Sequence, residues 1–234
     1  MTPVLEALLH GRESSGLGGR WYGVYVGLVT DNQDPEAAGR VKVALPWAPD
    51  MGSERYEVWA RIATLMAGKN RGTWMIPDAG DEVLVVFEAG DPRRPYVLGG
   101  LWNGKDTPPQ SMDGQNNKKV FRSRSGVKLT FDDSSGSEQF IAETPGGQKV
   151  TLKDGPGSIE LADSNGNSLK MEASGITLTT SASLTINAST MTVNASSVTV
   201  TGATTLSATL MVGASITTPS ITSASYTPGA GNIW

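Results

Sequence analysis

Residues 173–234 contain no Asp, Glu, Lys or Arg, so all 19 basic and 23 acidic side chains of the chain lie in the 172 residues before them. Twenty-six residues of that uncharged stretch are Ser or Thr, with Val, Ile, Leu and Met recurring among them. Chains that stay disordered in water normally combine low hydrophobicity with high net charge, and this segment has neither property. Its β-branched residues favour strands. The stretch must therefore pair with something.

The spacing of its apolar residues indicates how. Pairs separated by one residue recur at Val127/Leu129, Val150/Leu152, Ile159/Leu161, Leu169/Met171, Ile176/Leu178, Leu184/Ile186, Met191/Val193 and Val198/Val200. Each pair has the two-residue period of a strand with one buried face. From Leu152 onward the intervals between pairs drift around eight residues and hold turn formers: DGPGS at 154–158, DSNGNS at 163–168, and NAS at Asn187 and Asn194. Asn tolerates the positive φ of tight corners, and short strands at such a repeat describe a β-helix. Two inward side chains per strand enclose little core in one chain, and long uncharged strand edges invite aggregation. Three chains wound together remove both problems, so an obligate homotrimer is expected. Its inward residues would be Leu152, Leu161, Met171, Leu178, Leu184, Ile186, Met191, Val193, Val198 and Val200, with each strand pairing to strands of the partner chains. Beyond Val200 the period decays, and Pro219 and Pro228 interrupt it.

The N-terminal half reads differently. Segments 23–32, 39–47, 58–65, 81–91 and 95–102 read as short strands between turn-rich links, and Val41, Val43 and Leu45 face away from Arg40 and Lys42. Five or six short strands in about 80 residues suit a Greek-key barrel of the OB type. The expected fold is thus all-β, an N-terminal OB-fold barrel followed by an intertwined trimeric β-helix needle. The corresponding boundaries are an N-terminal extension at 1–20, the barrel at 21–104, a linker at 105–119, the triple-stranded β-helix at 120–225 and a tip segment at 226–234. Residues 4–10 could form one or two helical turns.

Composition limits the chemistry. Without cysteine there is no disulfide, thiolate nucleophile or Cys zinc site, and the single histidine, His10, forbids a multi-His metal site within one chain. A net charge of -4 disfavours nucleic acid or an anionic membrane as the main partner, even though Arg residues and aromatics such as Trp21, Tyr25 and Trp47 occur in the barrel. No apolar run is long enough to span a bilayer, and no basic segment precedes the short apolar patch at the start, so no signal peptide is expected. GGLWNGKD (99–106) satisfies the spacing of a phosphate loop, but Asp106 replaces its Ser/Thr and the following TPPQ forbids the required helix. The carboxylate pairs Asp81/Glu82 and Asp132/Asp133 sit where strands start and turns lie, as solvated acids do. No catalytic residue, cofactor or metal site is expected.

GRVKVALPW (39–47) and VWARIATLMAGKNRGTWMIPDAGDEVLVVFEAGDPRRPYVLGGLWNG (58–104), followed by the uncharged repeat, resemble the bacteriophage baseplate spike family, which includes baseplate assembly protein V and the valine-glycine-repeat spikes of contractile injection systems. The resemblance covers roughly residues 20–105. It implies an OB collar docked on a trimeric baseplate hub at the tube end and a needle that crosses the target envelope on sheath contraction. Some relatives insert a lysozyme domain where this chain has a short linker, and others fuse the hub upstream where this chain has about 20 residues. The hub is therefore expected to be a separate protein. The YTPGAGNIW end lacks the His-x-His apex of certain phage spikes, so either a PAAR-type tip protein docks on Asn232, Ile233 and Trp234, or Ile233 and Trp234 form a metal-free apex. Localisation to a virion tail baseplate or injection particle assembled in the bacterial cytoplasm follows from the same resemblance. The competing reading is a trimeric β-helical receptor-binding or adhesin fibre.

Overall fold

The computed structural model describes residues 19–48 and 55–224. His10, the segment 4–10, and Asn232, Ile233 and Trp234 lie outside the described residues. The N-terminal strands are β1 (Val24–Asp31), β2 (Val41–Ala44), β3 (Glu57–Ile62), a short hairpin of β4 (Ala67–Gly68) and β5 (Arg71–Gly72), then β6 (Glu82–Phe87) and β7 (Pro95–Leu101). Five of them close a barrel in the order β1-β2-β3-β7-β6, with β3 and β7 the parallel pair. Strict alternation on β6 sends Val83, Val85 and Phe87 inward, where they meet Val29, Val41, Val43, Leu45, Ala60 and Val97. That is the period-two pattern expected of a strand buried on one face.

One mouth of the barrel is closed by rings. Trp21 packs edge-on against Trp47, Tyr56 and Phe87 at centroid distances of 5.0, 5.2 and 5.1 Å, and Tyr25 stacks on Trp47 at 4.3 Å. The backbone amide of Trp21 donates to the Gly90 carbonyl at 2.8 Å. Gly90 has φ +74°, and a Cβ there would stand 3.1 Å from the Tyr22 ring. Glycine is required on both counts.

The β1–β2 connection is held by one carboxylate. Asp34 Oδ1 accepts from Arg40 Nη2 at 2.7 Å and from the Glu36 amide at 3.1 Å, while Oδ2 accepts from the Ala38 amide at 2.9 Å and the Arg40 amide at 3.2 Å. The Arg40 guanidinium holds the Asp34 carboxyl far below the usual carboxylate range. Arg93 does the same for Asp91, whose pKa falls to about 2. Both groups bind protons more weakly folded than unfolded, so their stabilisation is complete above about pH 4 and is lost as pH falls toward about 2. Asp34→Asn is expected to lower the melting temperature at pH 7 and to flatten its decline between pH 4 and 2, as followed by near-ultraviolet circular dichroism.

The C-terminal part of the described chain holds seven strands of five residues each: β8 (Lys118–Arg122), β9 (Lys128–Asp132), β10 (Gln139–Glu143), β11 (Lys149–Lys153), β12 (Ser158–Ala162), β13 (Ser168–Glu172) and β14 (Gly175–Thr179). They form one antiparallel meander in sequence order. The expectation that every strand pairs with partner chains therefore does not hold between 118 and 179. The turns give the reason. Asp163 Oδ1 accepts from the Asn165 and Asn167 amides at 2.8 and 2.9 Å, so DSNGNS folds the chain straight back on itself instead of advancing it. The Gly147 amide likewise donates to the Thr144 carbonyl at 3.0 Å. β8 opens at Lys118, inside the stretch expected as linker. Arg124 Nη1, in the β8–β9 turn, donates to Asp78 Oδ1 of the barrel at 3.0 Å.

Leu184–Trp234 form a separate unit. Its described residues, 184–224, contain no strand in the single chain and are exposed throughout.

Candidate functional site

The chemically unusual surface lies on the seven-stranded sheet. Its register is unbroken from strand to strand, so side chains align in straight rows. One row runs Phe131, Phe140, Leu152, Ile159, Met171, Ile176, and the row beside it runs Phe121, Leu129, Ala142, Val150, Leu161, Leu169, Leu178. The two rows are separated by one residue along each strand, so they share a face. The first row opens at Lys119 of β8, opposite Phe131, and every other residue of the two rows is uncharged. The rings of Phe131 and Phe140 lie 5.2 Å apart, and with Leu152, Ile159 and Met171 they line part of a shallow concavity of about 610 Å³.

The opposite face carries the charge. Lys128 Nζ pairs with Glu143 Oε1 at 3.1 Å, and Glu160 stands opposite Lys170. Asp132 Oδ1 accepts from the Ser134 hydroxyl at 2.5 Å, which helps hold that carboxyl below its ordinary range. This face is the polar one, although Thr130 and Asp132 on it are themselves buried.

In the single chain the apolar face lacks a cover. Leu161 is 44 % exposed, Leu178 55 % and Ile176 72 %. Eight of these apolar side chains are exposed, by 39 to 72 %, and at about 1.5–3 kcal/mol for full burial of each they forfeit several kcal/mol per chain. An apolar surface of that extent marks an association site.

Of the ten residues expected in a trimer core, Leu152, Leu161, Met171 and Leu178 occupy this face on β11 to β14. Leu184, Ile186, Met191, Val193, Val198 and Val200 lie in the separate unit, each exposed. Sequence reasoning missed the start of the face. Val127 lies just outside β9, and the rows instead include Phe121, Phe131 and Phe140. The alternation of KLTFD and QFIAE carried that signal.

The alternative sites resolve into structural roles. Gly99 and Gly100 are strand residues of β7, and the Lys105 and Asp106 amides both donate to Asn103 Oδ1, at 2.9 and 2.7 Å. The donors that a phosphate would need are taken by the chain itself. Asp81 Oδ2 accepts from the Asp78 amide at 2.8 Å, and Asp133 pairs with Lys119 at 3.2 Å. Among the described residues no group of three or more His, Asp or Glu is placed to hold a metal, and no helix is long and apolar enough to cross a membrane.

Comparison with known proteins agrees with both halves. Residues 25–102 match the type VI secretion system/phage-baseplate injector OB domain, and residues 139–205 match the phage baseplate V C-terminal trimerisation domain. Type VI secretion system spike protein VgrG1b of Pseudomonas aeruginosa is 32% identical over 124 residues, 49% of this chain and 17% of that protein. Spike protein VgrG3 of Vibrio cholerae is 36% identical over 109 residues, 44% of this chain and 11% of its own length. The actin cross-linking toxin VgrG1 of the same species is 35% identical over 108 residues, 44% of this chain and 10% of that protein. The match thus spans between 10% and 17% of the length of these relatives. With an injector OB barrel followed by the baseplate V trimerisation domain, the chain belongs to the phage-baseplate and type VI secretion spike family.

Proposed function

We propose that three copies of this chain form the central spike of a contractile phage tail or injection system, docked on a separate baseplate hub and driven mechanically through the target envelope. The observation that carries this reading is the two-row apolar face of the sheet, which lies largely within the segment matching a trimerisation domain. Three such faces turned toward one axis give a closed prism with the charged faces outward. At about 4.8 Å per strand step, the six steps from β8 to β14 extend about 29 Å.

Residues 184–224 offer a different device for joining chains. Their apolar pairs recur every seven residues, at Leu184/Ile186, Met191/Val193 and Val198/Val200, without a turn that returns the chain to itself. Backbone donors and acceptors left unpaired in one chain find partners on the two others. A Ser/Thr exterior without charge avoids the penalty of several kcal/mol for taking each ionised group into hydrocarbon. The leading end is occupied by a PAAR-type tip protein seated on Asn232, Ile233 and Trp234. The chain performs no bond chemistry, and it resides in the particle. That the relatives are named as secretion-system spikes supports this role over a receptor-binding fibre.

Deleting residues 173–234 tests the piercing role. The particle is expected to assemble its collar but to lose delivery by a hundredfold or more in an infection or injection assay, and undiminished delivery overturns the reading. Lys105→Ala, in the phosphate-loop lookalike, should leave delivery unchanged.

A further inference from the structure

The barrel carries two bare apolar surfaces that neither its core nor the sheet explains. The first is its outer wall on β1, β6 and β7. There Val24 stands opposite Val86 and Val26 opposite Leu84, Leu84 in turn faces Gly99, and a register shift leaves Leu98 unpaired. Val24 is 60 % exposed, and Val26 and Leu98 are also open to solvent. The contrast with the other side of the barrel is sharp. On β2 and β3 the outward residues are Lys42, Glu57, Trp59 and Arg61, with Lys42 and Glu57 paired at 3.5 Å and Arg40 over the Trp59 ring. On β1, β6 and β7 the outward residues are apolar from Val24 and Val86 to Leu84, with Glu82 alone charged at the end of β6.

The second surface is the β4–β5 hairpin. Ala67 pairs with Gly72, and the Thr73 amide donates to the Met66 carbonyl at 2.9 Å, a register that sets Leu65 opposite Trp74. The hydroxyls of Thr64 and Thr73 bond to each other and fix the base. Leu65 is 97 % exposed, and Met66, Trp74 and Met75 are exposed with it. Trp74 is not loose. A Cβ on Gly39, at φ +71°, would stand 3.0 Å from its ring, so the indole rests on the β1–β2 loop. A braced hairpin that offers four large apolar side chains to water is built to contact something.

We propose that the Leu65–Trp74 face of each hairpin seats on the β1–β6–β7 wall of the next copy, closing a head-to-tail ring of three barrels. This rests on the three-chain reading above. A head-to-tail contact needs two different, complementary patches on every chain, and a rotation that closes turns such contacts into a ring. This barrel has two such patches. Charge supports the pairing: Lys69 and Arg71 at the hairpin tip make no ion pair among the described residues, while the wall ends at Glu82, which shares Asn103 with Asp106. Seating the hairpin brings a basic tip to an acidic rim.

The cysteine-free chain makes the test clean. Leu65→Cys, Val26→Cys and, as a control at an exposed site in the β12–β13 turn of the sheet, Ser164→Cys are labelled with a maleimide in the full-length protein. Labelling of the Leu65→Cys and Val26→Cys variants should be at least tenfold slower than the control. The double variant treated with a short bis-maleimide should give covalent trimers, whereas a mixture of the two single variants should stop at dimers. Leu98→Cys provides a second wall position. Control-rate labelling at all these sites in a chain that sediments as a trimer overturns the ring while leaving the trimer intact. Protection that appears only after another protein is added overturns it as well. Sedimentation as a monomer overturns the three-chain reading itself.

Discussion

Replacing Leu161 by aspartate is expected to turn a three-chain particle into single chains of 24.5 kDa, read by analytical ultracentrifugation and by loss of heat-resistant gel migration. Leu161 sits mid-sheet on β12, between Val150 of β11 and Leu169 of β13. In the isolated chain it is 44 % exposed, so an aspartate there meets water and costs the chain's own fold little. In the assembly three carboxylates would converge in one apolar prism. Burying a single unpaired charge costs several kcal/mol, and three near one axis also repel. Leu161→Met, which conserves volume, should leave the assembly intact. Should the aspartate variant sediment unchanged, the apolar face does not line the trimer axis.

The second large effect concerns the collar. Trp21→Ala removes the ring at the centre of the cluster with Trp47, Tyr56 and Phe87, and Trp21 is only 7 % exposed. Truncating a buried aromatic of this kind costs about 3–5 kcal/mol. A domain of this size shifts by about 4–8 °C per kcal/mol, so a barrel transition lower by about 15 °C or more is expected. Near-ultraviolet circular dichroism reports it directly, since the stacked and edge-on rings give the signal. The sheet should respond far less, because the residues that pack on Trp21 all belong to the barrel. A shift of only a few degrees would mean that the ring cluster is ornament and that the aliphatic residues around Val83 and Val85 hold the barrel alone.

How much of this was legible in the sequence differs between the halves. The barrel strands were readable because VKV on β2 alternates and VLVVF on β6 is a short apolar run bounded by acidic residues, a length that suits a strand. DEVLVVFEAGD and GRVKVALPW leave few other ways to bury Val83, Val85, Val41 and Val43. The β4–β5 hairpin was not readable, since Ala67, Gly68, Arg71 and Gly72 have neither alternation nor β-branching. It is held instead by the Thr64–Thr73 hydroxyl contact and by Trp74 resting on Gly39. The apolar pairs from Val150 to Leu178 found the right face but left the pairing partner open. Period-two alternation states which side chains are inward and says nothing of which chain supplies the neighbouring strand. The turns decide that. Asp163 caps a reversal in DSNGNS, whereas Asn187 and Asn194 stand in seven-residue repeats that offer no such return.

The acid response extends from the barrel into the sheet, where Asp132, Asp163 and Glu172 are also held below the ordinary carboxylate range. Asp34 and Asp91 owe their depressed pKa values to Arg40 and Arg93 within the barrel. Residues 173–234 carry no Asp, Glu, Lys, Arg or His side chain to join that response.

The uniform strand length and unbroken register of β8 to β14 also bear on how such a rod is dimensioned. Because each strand contributes two inward side chains at the same phase, excising or duplicating one up-and-down strand pair with its turns preserves the inside-outside parity of everything downstream. Reach can thus be trimmed or lengthened in quanta of two strands, about 10 Å apiece, without redesigning the cross-section.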